Sequence, residues 1–343
     1  MTRIAVVLFN LGGPDCPEAI KPFLANLFND PAIIRLPWLL RRLAAKLIVA
    51  KRLKIAGAIY ASIGGRSPIL ENTQAQAAAL EKELAGLGKV KCFIAMRYWR
   101  PFAGETARRV KEFAPDRIVL LPLYPQFSTT TTASSLKSWK KAAKSAGIDA
   151  TTTTICCYPD DPGFVASMAH AARAAYEKAK TFGNPRVLFS AHGLPEKIVK
   201  AGDPYQFQCE RTAAALVSAL GIEKLDWVLC YQSRVGPLKW IGPSTDEEIV
   251  RAGKDKVPVV IVPIAFTSEN SETLYEIDIL YRDLAMHSGV SHFSRVQTAG
   301  DVPEFITGLA GLVKCAVENE RGCLTASGGR ICPAPFSGCC NRE

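Results

Sequence analysis

The chain has 343 residues, of which 48% are hydrophobic and 22% charged, and its formal charge is +10. That length exceeds one comfortable core and predicts one large or two medium domains, while the apolar content excludes an extensively disordered chain. No stretch approaches the ~18 uncharged apolar residues of a membrane-spanning helix, so the sequence predicts a cytoplasmic protein unless something else anchors it.

At the N-terminus, Arg3 precedes the apolar run Ile4–Phe9 and imitates a secretion signal. The run is short and no small-residue cleavage pattern follows, so a first buried strand is predicted. The next segment carries most of the excess charge. From Pro31 to Leu70 there is no acidic residue, against Arg35, Arg41, Arg42, Lys46, Lys51, Arg52, Lys54 and Arg66. Leu36, Leu39, Leu40, Leu43 and Leu47 recur there at helical spacing, with Arg42 and Lys46 on a neighbouring face and Trp38 near the start. An ordinary amphipathic core helix has this pattern, but the missing acids favour an interfacial helix drawn to anionic lipid. Residues 31–54 are therefore predicted to make peripheral membrane contact on the inner face. Nucleic acid is not expected as a partner, because no recognition motif accompanies the charges.

Strand-like runs follow at Val90–Met96, Arg117–Leu123, Arg186–Ser190, Trp227–Tyr231 and Val257–Ile264. Amphipathic stretches alternate with them: Thr73–Leu87, Gly163–Lys180, Asp203–Leu220, Ser268–Leu284 and Pro303–Glu318. Alternation of helices with continuously apolar strands predicts parallel sheets covered on both faces. The reading is α/β, with two doubly wound Rossmann-like domains at residues 1–155 and 156–320 and a cysteine-rich tail at 321–343.

In such sheets ligands bind beyond the carboxyl ends of the strands. His192 stands at one such end, after Val187–Ser190 and before Gly193-Leu194-Pro195, a position suited to a base or a ligand. His170, His287 and His292 have the surroundings of satisfied or surface histidines. After the Val257–Ile264 strand, Glu269, Glu272, Glu276 and Asp283 are spaced to line one helical face. A solvated face is the commonplace explanation. Against it, the first turn lies at the ligand edge, where the helix dipole supports carboxylates that hold a hard cation or accept protons.

Eleven cysteines in a cytosolic setting should be mostly reduced. Cys16, Cys92, Cys209, Cys230 and Cys315 stand singly and read as small buried hydrophobes. Cys156, Cys157, Cys323, Cys332, Cys339 and Cys340 are grouped, and grouping points to zinc or an iron–sulfur cluster.

SAHGLP at 190–195, PIAFTSENSETLYEID at 263–278 and QSRVGPLKWIGPSTDE at 232–247 resemble three ferrochelatase signatures. LFNLGGPD, IGGRSPI, MRYWRP and LPLYPQFSTTTTASS add four more, and the likeness spans about residues 1–320. The resemblance implies an enzyme inserting Fe2+ into protoporphyrin IX, with the porphyrin in a cleft between the two domains. It makes His192 the active-site histidine, Glu272 the carboxylate facing it, both as contacts for the substrate iron, with Glu269 and Glu276 in an acidic row. Leu11, Arg97, Tyr98, Tyr124 and Trp240 match porphyrin-pocket residues. Asn270 stands where many members have a second histidine, and Ser62 where some have an arginine. The tail resembles those that bind a [2Fe–2S] cluster, with Cys332, Cys339 and Cys340 matching three ligands and Cys157 the fourth; Cys156 and Cys323 are the alternatives. Coproporphyrin as substrate, or a catalytically silent porphyrin- or cluster-binding sensor, stays open at the level of sequence.

Overall fold

The computed structural model describes residues 2–319 and 322–341. Its strands are β1 (Arg3–Asn10), β2 (Lys89–Met96), β3 (Arg117–Pro122), β4 (Thr151–Cys157), β5 (Arg186–His192), β6 (Asp226–Gln232), β7 (Val259–Pro263), β8 (Phe293–Arg295) and β9 (Cys323–Thr325). They form two sheets, ordered β2-β1-β3-β4-β9 and β6-β5-β7-β8, and every adjacent pair is parallel.

The period-two geometry of a strand explains why the central strands carry unbroken apolar runs. In β1, Ile4, Val6 and Leu8 enter one core cluster while Ala5, Val7 and Phe9 enter another on the opposite face. In β5 and β7 the same split sends Val187, Phe189, Val260 and Val262 one way and Leu188, Val259 and Ile261 the other. The first cluster draws on both sheets and on the helices Pro162–Ala179, Tyr205–Leu220 and Pro303–Glu318, so one core serves the two halves. Helices Pro162–Ala179 and Pro303–Glu318 approach closely at Gly163 and Gly308. A Cβ on Gly163 would collide with the Glu304 carbonyl, and one on Gly308 with the Asp161 carboxylate.

Three departures from the sequence expectations bear on the site. The threonine-rich β4 is an additional strand of the first sheet, and β9 from the tail pairs beside it, with Thr154 opposite Cys323. The expected helix Ser268–Leu284 is instead a π-helix over Glu272–Tyr281 followed by an α-helix over Arg282–Ser288. Of the cysteines expected to be buried singly, Cys16 is exposed and Cys92 and Cys315 are only partly buried.

Candidate active site and cysteine nest

β5 delivers His192 to its carboxyl end, in register with Gln232 at the end of β6. The chain then turns through Gly193, whose N–H donates to the Gln232 carbonyl at 2.8 Å. A Cβ on Gly193 would stand 3.0 Å from that same carbonyl oxygen and 3.3 Å from the Trp240 ring, so any larger residue would push against both. Trp240 is fixed nearby by a bridge to Pro195.

The His192 Nδ1 lies 2.7 Å from the Gly193 carbonyl oxygen. A carbonyl can only accept, so Nδ1 carries a hydrogen, and in the neutral imidazole Nε2 is the nitrogen that keeps its lone pair. Nε2 points to Glu272 Oε1 at 3.6 Å. Burial pushes the Glu272 carboxyl above its ordinary value, the positive charge of His192 when protonated works against that rise, and the Glu276 charge adds to it.

Glu276 is held one step further along. It accepts from Ser233 N at 2.7 Å, Ser233 Oγ at 2.5 Å, Gln232 Nε2 at 3.0 Å and Tyr281 Oη at 3.1 Å. Gln232 also donates to the Glu272 carbonyl at 3.1 Å and accepts from Ser190 Oγ at 2.8 Å. Glu269 is turned away. It forms an ion pair with the buried Arg295 at 2.9 Å and accepts from Thr298 N at 3.0 Å. The α-helical spacing that put Glu269 in the row does not apply, because the residue precedes a π-helix of wider turn. Asn270 caps that helix start, accepting from Glu272 N at 2.7 Å.

The opposite wall comes from the first sheet. Tyr98 is fully buried, its hydroxyl bonded to Asp30 at 2.8 Å, so it supports the wall instead of lining it. Arg97 donates to the same Asp30 oxygen at 2.7 Å and to Ser134 Oγ at 2.7 Å, and Ser134 Oγ donates to that oxygen at 2.6 Å. Asp30, unmarked by the sequence reading, is thus the hub of this wall. Leu11 packs with Tyr98, and its carbonyl accepts from Tyr98 N at 2.9 Å. Tyr124 packs against the core of the first sheet, and burial drives its phenol upward. The two walls are stitched by Asn10 Nδ2 to Ser268 Oγ at 3.3 Å, Gln76 Nε2 to the Thr267 carbonyl at 2.8 Å and Thr267 Oγ1 to the Leu123 carbonyl at 2.9 Å. Tyr60 meets the second wall at Ser271, beside Glu272, and burial raises it to about 12.

Tyr60 lies in the last turn of the 25-residue helix Trp38–Ser62. Leu53 packs with Val49 and Tyr60 against a small core, but Trp38, Leu39, Leu40, Leu43, Leu47 and Ile55 are all exposed, Leu39 to 68%. Among the described residues no helix is long and apolar enough to cross a membrane.

A second constellation lies behind the first wall. Pairing of β9 with β4 brings the tail against Cys156 and Cys157, and Phe127 with Cys156, Cys157, Cys332 and Cys339 forms a buried cluster edged by Cys323 and Cys340. All are free thiols. The sulfurs of Cys156, Cys323 and Cys340 lie within 4.8 Å of one another. Thiol contacts from Cys156 and Cys340 pull the Cys323 thiol down and those from Cys156 and Cys332 pull Cys339 down, while the same contacts push Cys156 and Cys332 up. Gly338 N donates to the Gly202 carbonyl at 3.0 Å and Phe336 stacks on Phe207 at 5.3 Å, which seats the tail on the second half of the chain.

The structure resembles SirB from Bacillus subtilis with Fe3+, at a TM-score of 0.52 and 14% identity over 93% of this chain and 97% of that one. At that identity the likeness speaks for the fold alone. Sequence relatives reach further. The ferrochelatase of Caulobacter vibrioides is 54% identical over 99% of this chain and 98% of its own length, and that of Phenylobacterium zucineum is 52% identical over 99% and 98%. The ferrochelatase family model matches residues 3–317, from β1 to the last turn of the helix Pro303–Glu318. The chain belongs to the ferrochelatase family.

Proposed function

We propose that the chain inserts Fe2+ into protoporphyrin IX, the porphyrin lying between the strand ends of the two sheets. The observation that carries this reading is the His192–Glu272 pair at the mouth of β5. Metallation breaks two pyrrole N–H bonds, forms N–Fe bonds to the macrocycle and releases two protons. The bare Nε2 lone pair of His192 suits the first proton, since an imidazole accepts near neutral pH, and positioned base help is typically worth ~10²–10⁴ in rate. Glu272, with its raised carboxyl, accepts or passes the second proton, and Glu276 offers the next acceptor along the π-helix. Leu11, Arg97, Tyr124 and Trp240 hold the macrocycle, with Tyr98 acting behind them. The test is to assay the purified chain with Fe2+ and, separately, protoporphyrin and coproporphyrin; turnover should favour the former.

Residues 31–54 seat the enzyme on the inner face of the membrane. The support is the row of exposed Leu39, Leu40, Leu43 and Leu47 beside Arg42 and Lys46, on a helix whose far end touches the catalytic wall. An apolar porphyrin would then enter from lipid.

The cysteine nest suits a [2Fe–2S] cluster, because it offers only soft sulfur donors and more than the four required. Cys157, Cys332, Cys339 and Cys340 would hold it, with Cys156 and Cys323 in reach as substitutes. Bound there, it supplies one-electron redox chemistry and a cross-link from the tail to β4.

A further inference from the structure

Gln208 is fully buried on the helix Tyr205–Leu220 and faces the cysteine nest. Its Oε1 accepts from Phe127 N at 2.7 Å. A backbone N–H can only donate, so this contact fixes which way round the carboxamide lies. The NH2 group is thereby turned to sulfur, with Nε2 3.3 Å from Cys157 Sγ and 3.1 Å from Cys332 Sγ. Both amide hydrogens are committed, one to a strand cysteine and one to a tail cysteine. A neutral thiol accepts only weakly, whereas a thiolate bound to iron is a good acceptor, and hydrogen bonds to cluster sulfurs help set reduction potential.

Nothing in the chelation site uses this side chain. Its partner segment nonetheless leads there: Gln126 Nε2 donates to the Ile264 carbonyl at 2.9 Å, and Ile264 N donates to the Ser190 carbonyl at 2.9 Å, two residues before His192. We propose that Gln208 is a positioning residue of the nest: its carboxamide marks Cys157 and Cys332 as thiolate ligands and raises the reduction potential of the cluster they hold. This rests on the cluster reading above.

The test uses the full chain, reconstituted anaerobically with iron and sulfide, as the parent and as Gln208→Leu and Gln208→Glu. Leucine removes the acceptor and both donors. Glutamate keeps an acceptor for Phe127 N and gives up at least one donor to sulfur. At equal iron and sulfide content, about two of each per chain, both variants should show an altered visible circular dichroism spectrum and a more negative midpoint potential, the leucine variant the more so. Parent-like spectrum and potential in both variants would overturn the proposal. So would a parent-like glutamate variant beside a shifted leucine one, since the side chain would then act only through Phe127. A parent protein that takes up no iron and sulfide defeats the cluster reading itself, a separate failure.

Discussion

His192 Nε2 and Glu272 Oε1 stand 3.6 Å apart, although one side chain ends a strand and the other opens a π-helix that follows a different strand. Neither is fully enclosed, with 38% and 27% of the side-chain surface open to the cleft. The pair therefore sets an imidazole nitrogen, bare in the neutral ring, beside a carboxyl that burial makes reluctant to ionise, both open to the cleft.

That reluctance has a pH signature. Glu272 is raised above the ordinary 4.5, so the acid limb of kcat/KM should lie above the usual carboxylate range. Removing the Glu276 charge with Glu276→Gln should move the limb to lower pH; an unmoved limb, or one shifted upward, contradicts the assignment. The stability sign is equally fixed. A raised folded-state value means the neutral form's contribution is complete at low pH and is lost as pH rises through that value. Glu272→Gln should thus melt no lower than the parent at pH 7 by calorimetry, while losing activity.

Asp30 governs the other wall. Its side chain is 2% exposed and accepts from Arg97, Tyr98 and Ser134. Asp30→Ala strands the Arg97 guanidinium and should cost about 3–5 kcal/mol in urea unfolding, the scale of a broken buried pair. A loss below about 1 kcal/mol would mean the hub is dispensable.

Membrane seating predicts a charge and an apolar effect on one helix. Replacing Arg41, Arg42 and Lys46 with Gln should weaken binding to anionic vesicles by roughly 1 kcal/mol per charge. Leu39→Gln with Leu43→Gln should weaken it further without loss of melting temperature, because both leucines are exposed. Equal co-sedimentation of all variants at low salt excludes the seating.

For the nest, aerobically purified protein should be red-brown. Serine at Cys157, Cys332, Cys339 or Cys340 should bleach it and lower the melting temperature, as loss of a structural metal site does. Serine at the exposed Cys16 should leave the colour intact. Colourless protein containing zinc would replace the cluster with another metal. Bleaching by Cys156→Ser but not Cys157→Ser would transfer the interior ligand to Cys156, whose sulfur is grouped with those of Cys323 and Cys340.

Much of the fold was legible because β1, β5 and β7 are buried on both faces and so carry unbroken apolar runs, Ile4–Phe9, Val187–Phe189 and Val259–Pro263. β4 escaped because its first four residues are threonines, and it is recognisable only once β3 and β9 flank it. His192 and Glu272 announce themselves by standing just after apolar strands, yet their spacing of 3.6 Å depends on how two strands of one sheet order themselves. The π-helix left no signal in residue periodicity, which is why Glu269 read as part of the row when Arg295 holds it elsewhere. Asp30 was hidden in an Asn-Asp-Pro turn, and Gln208 in the ordinary polar pattern of an amphipathic helix; each acquires its role only from partners distant in sequence.

As the proposed base in metal insertion, His192 should be indispensable to turnover but not to porphyrin binding. The most direct measurement is Fe2+ insertion into protoporphyrin by the purified chain and by His192→Ala, with porphyrin binding followed in parallel by fluorescence. Porphyrin should bind both proteins alike, since the pocket walls remain, and turnover should fall by about 10²–10⁴ in the variant. Near-parent turnover by His192→Ala, with porphyrin bound, would rule His192 out as the base.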